Sequence, residues 1–81
     1  MPSIRIVAFA RLREVLGASR QIALADGATV RELWAALVES EPRLQGLDGG
    51  LRFACNERLC DTGQVLREGD EVALLPPYGG G

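Results

Sequence analysis

The sequence predicts an α+β fold, a mixed sheet of about four to five strands with one long helix packed on one face. Three observations predict it. Apolar residues alternate with period two near both ends of the chain, over residues 3–10 and 71–75. Between them runs a single strong helical stripe, Val30, Leu33, Trp34, Leu37 and Val38 at i, i+3, i+4, i+7 and i+8. The length, 81 residues, admits one small domain that buries only about 60 per cent of its unfolded surface.

The elements follow in order. In residues 3–10, Ile4, Ile6 and Ala8 point one way and Arg5, Val7 and Phe9 the other, which is a strand. Residues 11–16 read as a short helix with Leu12, Val15 and Leu16 on one face, and Gly17 is placed to cap its C-terminus. Residues 20–25 form a second strand with Ile22 and Leu24 on one face, and residues 25–28 turn. The main helix starts at Thr29. Thr29 and Glu32 have the spacing of a capping box, in which hydroxyl and carboxylate each satisfy a free backbone N–H of the first turn. It stops before Pro42, because the residue before a proline disfavours helical backbone.

Residues 42–50 are a connection with Leu44 and Leu47 tucked beneath it. Residues 51–56 make a third strand, on which Leu51, Phe53 and Cys55 alternate with Arg52, Ala54 and Asn56. The chain turns at Asn56-Glu57-Arg58, and Leu59-Cys60 is the stub of a fourth strand. Val65 and Leu66 anchor the next loop, Glu68-Gly69-Asp70 turns, and Glu71–Leu75 is the last strand.

One long helix cannot cover both faces of such a sheet, so it lies across one and leaves the other to solvent or a partner. The middle elements are local, which places the last strand beside the first, in parallel. That arrangement is a ubiquitin-like β-grasp. If Ile4, Ile6, Ala8, Val72 and Leu74 face the helix, then Val7, Phe9, Ala73 and Leu75 face outward. Phe9 and Leu75 would then share an apolar patch suited to a protein interface.

Composition excludes several function classes. The net charge is −2, with both signs interspersed and no basic stripe, so nucleic acid is not expected as a partner. There is no apolar run near the roughly 20 residues that a membrane span needs. The opening Met1-Pro2-Ser3-Ile4-Arg5 runs straight into strand pattern without a signal-peptide layout, so a cytoplasmic location is expected. Histidine, the commonest general base and metal ligand, is absent. All nine basic residues are arginine, so no side-chain amine could accept an isopeptide bond from another copy. Cys55 and Cys60 are too few for a disulfide framework or a zinc site and read as small apolar strand residues. No cofactor and no metal are expected to bind this chain.

What remains is the end of the chain, Pro76-Pro77-Tyr78-Gly79-Gly80-Gly81. Two prolines fix φ and stiffen the exit from the last strand. Three glycines lack a Cβ, so the tail is thin and conformationally permissive. Tyr78 to Gly81 can reach roughly 13 Å at about 3.3–3.6 Å per residue, enough to enter another protein's active site carboxylate first. The domain is expected to span residues 1–77, and residues 78–81 to be a flexible glycine tail.

The run Phe9-Ala10-Arg11-Leu12-Arg13-Glu14, the helix start Asp26-Gly27-Ala28-Thr29-Val30, and Asn56 after the third strand resemble the small subunit of molybdopterin synthase. So does Gly69-Asp70-Glu71-Val72-Ala73-Leu74-Leu75-Pro76-Pro77 leading to a terminal Gly-Gly. The resemblance covers the whole chain in order, and the ending is its most specific part. Tyr78 departs from the small aliphatic residue often found after the prolines, and Gly79 is a third glycine at a variable position.

The resemblance implies a sulfur carrier. A ubiquitin-activating-like adenylyltransferase would use ATP to convert the Gly81 carboxylate to an acyl-adenylate. A sulfurtransferase or desulfurase would then supply the sulfur of a thiocarboxylate. The tail would enter the large subunit of molybdopterin synthase, where the sulfur attacks a cyclic pyranopterin precursor and builds the dithiolene. Gly81 carries the sulfur, and Gly80 keeps the adenylation pocket unobstructed. The chain is then a co-substrate, with the active site in the large subunit. Phe9, Leu59 and Leu75 are expected as apolar partner contacts and Arg13 as a polar one, with Pro76, Pro77, Tyr78 and Gly79 leading into the partner. Three alternatives stay open: a sulfur carrier of thiamine or amino-acid biosynthesis, a ubiquitin-like modifier joined through Gly81 to lysines, and a β-grasp binding module whose tail has no role.

Overall fold

Period-two alternation in β1 (Ser3–Ala8) sends Ile4, Ile6 and Ala8 into the core, and the first two are fully buried. The computed structural model describes residues 1–77; Tyr78, Gly79, Gly80 and Gly81, and the expectations placed on them, lie outside the described residues. β1 ends two residues earlier than its pattern does. Phe9 is still extended, but Ala10 takes φ +52 and opens α1 (Ala10–Leu16), whose Leu12 and Leu16 are buried. The Gly17 N–H bonds to the Arg13 carbonyl at 2.8 Å and closes that helix.

β2 (Ser19–Ala23) is shifted by one to two residues from the expected strand. Its register against β1 pairs Ile22 with Ile4, so Ile22 faces the core. Leu24 lies just past the ladder, is buried, and still donates its N–H to the Pro2 carbonyl at 3.0 Å.

α2 (Val30–Ser40) begins at the expected cap. The Glu32 N–H reaches Thr29 Oγ1 at 3.4 Å, and Glu32 Oε1 accepts the Thr29 N–H at 2.9 Å. Val30, Leu33 and Leu37 are fully buried, each contributing about 1.5–3 kcal/mol over an exposed position. Trp34 is half-buried at the edge of the stripe and meets Phe53 edge-on, ring centres 6.3 Å apart. Proline at the start of the 3-10 turn Pro42–Leu44 ends the helix, and that turn drops Leu44 into the core, with Leu47 packed against it.

β3 (Arg52–Cys55) and β4 (Arg58–Cys60) form a two-residue hairpin; β3 is one residue shorter at each end than its alternation suggested. Asn56 and Glu57 both take positive φ, +52 and +70, which is the backbone of a tight I′-type turn. Asn56 does more than turn the chain. Its amide donates to Asp70 Oδ1 at 3.0 Å, its Oδ1 accepts the Glu71 N–H at 3.0 Å, and Asp70 Oδ2 accepts the Arg67 N–H at 2.8 Å. The hairpin tip is thereby tied to the start of β5 (Glu71–Leu75). Leu66 is buried as expected, but Val65 is 42% exposed. Val65 pairs through its backbone with Thr29 in an isolated bridge, so its side chain is free to face water.

The sheet order is β2-β1-β5-β3-β4. β5 inserts between β1 and β3, parallel to β1 and antiparallel to β3, as the sequence predicts. The buried side chains of the sheet, both helices and the 3-10 turn join in one core cluster. This is a five-stranded ubiquitin-like β-grasp. No helix among the described residues is long and apolar enough to cross a membrane.

Candidate functional site: an open sheet face at the base of the tail

The strand registers decide what lies on the face away from the helices. Val7 pairs with Ala73, Ala73 with Ala54, and Ala54 with Leu59, so these four residues form one row across four strands. The next row toward the C-terminal end of β5 holds Leu75 opposite Arg52. Continuing the β1–β5 register by one step places Phe9 beside Leu75. The patch therefore has a floor of two alanines, with Val7, Phe9, Leu59 and Leu75 around it. Leu59 is 64% exposed and Phe9 45%, among the described residues the two most exposed large apolar side chains after Met1. A partner contact is expected where a small domain exposes an apolar surface of this kind.

The expected contacts thus converge. Phe9, Leu59 and Leu75 lie on one face, and Pro76 and Pro77 follow Leu75 directly. Arg13 is exposed on α1, where its backbone N–H bonds to the Phe9 carbonyl at 3.3 Å, one turn from the patch. Tyr78, Gly79, Gly80 and Gly81 would continue from Pro77 but are outside the described residues.

Sequence reasoning missed two members. Ala54 is only 8% exposed although it faces away from the helices. Its small side chain is shaded by its cross-strand neighbours Ala73 and Leu59, a signal that exists only once the register is known. Gly50 is the other: a Cβ built on it would sit 2.9 Å from Pro77 Cβ.

Charge frames the patch on one side. Arg5 and Glu71 are cross-strand neighbours with a 3.7 Å ion pair on the open face, an exposed pair worth at most about 1 kcal/mol. The two thiols lie on the other face: Cys55 follows the side of Phe53, and Cys60 is the cross-strand partner of Phe53. Burial pushes the Cys55 thiol above its ordinary range, with the Asp70 carboxylate and Cys60 adding to the effect. Burial also raises Cys60, partly offset by a backbone hydrogen bond from Cys55. Neither is poised as a thiolate nucleophile. The face can bind through apolar contact, with the Arg5–Glu71 pair as its charged margin.

Fold and face together define a ubiquitin-like β-grasp protein with an exposed apolar patch beside Pro76 and Pro77. More particularly, the chain belongs to the ThiS family, whose model matches residues 6–81. It is 36% identical over 81 residues to the molybdopterin synthase sulfur carrier subunit of Chlamydomonas reinhardtii, covering 96% of this chain and 98% of that one. Among solved structures it is similar to small archaeal modifier protein 1 from Haloferax volcanii, with TM-score 0.85 and 31% identity over 98% of this chain and 99% of that one. It is also similar to a chain in the complex of subunits 1 and 2 of the molybdopterin-converting factor from Helicobacter pylori, with TM-score 0.70, 26% identity and 98% and 99% coverage.

Proposed function

We propose that this chain is the sulfur carrier subunit of a molybdopterin synthase. A carboxylate is a poor electrophile because its leaving group would be oxide. ATP, used by a ubiquitin-activating-like enzyme, converts the Gly81 carboxylate to an acyl-adenylate with release of pyrophosphate. A sulfur donor displaces AMP and leaves a thiocarboxylate at Gly81. The tail then enters the large subunit, where the thiocarboxylate sulfur attacks cyclic pyranopterin monophosphate. Water releases the acyl group and restores the carboxylate. A dithiolene needs two sulfurs, so two carriers are consumed per product.

The observation that carries this reading is the placement of the Pro76-Pro77 exit at the end of central strand β5, on the margin of the open apolar face, in a chain of this family. The face would dock on the activating enzyme and the large subunit in turn, while Gly80 and Gly81 reach into each active site. The Helicobacter pylori complex, which joins subunit 1 to subunit 2, supports a large-subunit partner.

The test is the intact mass after incubation with ATP, an activating enzyme of the family and a sulfur donor. The expected change is one oxygen replaced by sulfur at Gly81, absent in a chain lacking Gly80 and Gly81. Adding the large subunit and the pyranopterin precursor should return the original mass and yield dithiolene. An unchanged mass in a folded protein would overturn the reading, and transfer to a thiazole synthase instead would move the chain to thiamine biosynthesis. Similarity to a small archaeal modifier protein favours one second reading, conjugation through Gly81 to lysines of other proteins. A covalent adduct on another protein's lysine would decide for it.

A further inference from the structure

We propose that Gly50 is a positioning residue for the C-terminal tail. The inference rests on the carrier reading above and adds a residue far from Gly81 in sequence. The β3–β5 ladder pairs Phe53 with Leu74 and Arg52 with Leu75. Two further steps in the same register bring Gly50 opposite Pro77. The ladder cannot continue there as a sheet, because proline has no N–H to donate. The two residues nevertheless approach closely. A Cβ built on Gly50 would lie 2.9 Å from Pro77 Cβ and 3.3 Å from its Cγ, and Gly50 holds φ +75. Glycine is required at such an approach on two counts, space and backbone.

Pro77 is the last described residue before Tyr78, so whatever seats Pro77 sets the point from which the tail departs. A methyl group at position 50 would push the proline ring away from β3 by several tenths of an ångström. The carboxyl end would then have to find each partner's channel from a displaced base. Only the fraction of carriers whose tail base is correctly placed docks productively, and apparent affinity falls by that fraction, so a rise in KM of about tenfold is expected.

The same loop supplies the control. Gly46 also has positive φ, +88, but a Cβ there would meet nothing within 4 Å. Gly46→Ala therefore carries the backbone strain of Gly50→Ala without the collision. The two variants are compared with the unaltered chain in thermal unfolding, in the NMR spectrum, and as substrates of the activating enzyme and the large subunit. In the unaltered chain, cross-relaxation between the Gly50 α-protons and the Pro77 ring protons is expected.

Gly50→Ala should shift the Pro77 ring resonances and raise the carrier's KM about tenfold, with kcat less affected and with stability close to that of Gly46→Ala. Gly46→Ala should keep the unaltered KM. In a Pro77→Gly background, where the colliding ring is gone, Gly50→Ala should have no further effect on KM. Equal KM for the two alanine variants, or an effect of Gly50→Ala that persists with Pro77→Gly, overturns the inference. So does a missing Gly50–Pro77 cross-relaxation. Failure of the carrier reading looks different: the unaltered chain would gain no sulfur, while the Gly50–Pro77 contact would still be tested by NMR.

Discussion

On the helix-covered face of the sheet, Ile4, Ile6, Val72 and Leu74 are fully buried, whereas on the opposite face the residues between and beyond them, Val7, Ala73 and Leu75, are only half-buried. Both sets are apolar, and both come from the two central strands. Apolar residues on one face are explained by the core. Apolar residues on the other lie outside that core, and they cluster with Leu59 and Phe9 near the end of β5 that leads to the tail, the surface proposed above for partner contact. The contrast separates what holds the domain together from what it is for.

The largest expected effect lies on the covered face. Leu37→Ala removes a fully buried side chain of α2 and should destabilise the domain by about 3 kcal/mol. For a domain whose total stability is about 5–15 kcal/mol, that is a large fraction, and urea unfolding would show it as a clear drop in midpoint at constant slope. A change below about 1 kcal/mol would mean that the covered face is less well packed than its burial implies.

Leu59→Ala on the open face should behave in the opposite way. Its side chain is mostly in water, so stability should move by no more than about 0.5 kcal/mol. Affinity for the large subunit should fall by about 1–2 kcal/mol, roughly tenfold in Kd. Calorimetric titration of the folded variant checks both halves. Lost stability with unaltered affinity would erase the distinction between the faces.

Much of this contrast was legible in the sequence because strand alternation has period two and needs no long-range information. The same is true of α2, whose stripe and capping box are local. The insertion of β5 beside β1 followed from the lack of any other place for it. What was illegible depended on register. The burial of Ala54 on the open face is caused by Ala73 and Leu59, which are neighbours only across strands. The approach of Gly50 to Pro77 joins two loop residues 27 positions apart, by subtraction of their numbers. Val65 anchors its loop as expected, but through its backbone, while its side chain faces water, a distinction that residue type does not carry. The onset of α1 at Ala10, with φ +52, has no residue-type signal, since alanine is not a left-handed former.

A smaller effect tests how the long helix is held over the covered face. Thr29→Ala removes the hydroxyl that accepts the Glu32 N–H. A loss of about 1 kcal/mol in urea unfolding is expected, with affinity for the large subunit unchanged because the cap is not on the open face. Thr29→Ser keeps the hydroxyl and should recover most of the loss. No loss on removing the hydroxyl would show that packing of Val30 and Leu33 alone sets the start of α2.

The smallest effect concerns the thiols at the margin of the covered side. Burial raises both cysteines above their ordinary value of 9.0, so at pH 8.5 the folded chain holds less thiolate than the unfolded one. Reaction with iodoacetamide should therefore be slower in the native protein than in denaturant for both residues, and should accelerate as pH rises through the native pKa. The same shift makes the thiols contribute stability that is fully present below about pH 9 and is lost as pH climbs past the native value, because the unfolded state releases its protons first. Separate rates for the two sites, read from peptide masses, sharpen the comparison. Asp70 and Cys60 add to the burial effect at Cys55, whereas at Cys60 a backbone hydrogen bond from Cys55 opposes burial and the Asp61 carboxylate adds to it. Equal native and denatured rates would place both thiols in water rather than against the core.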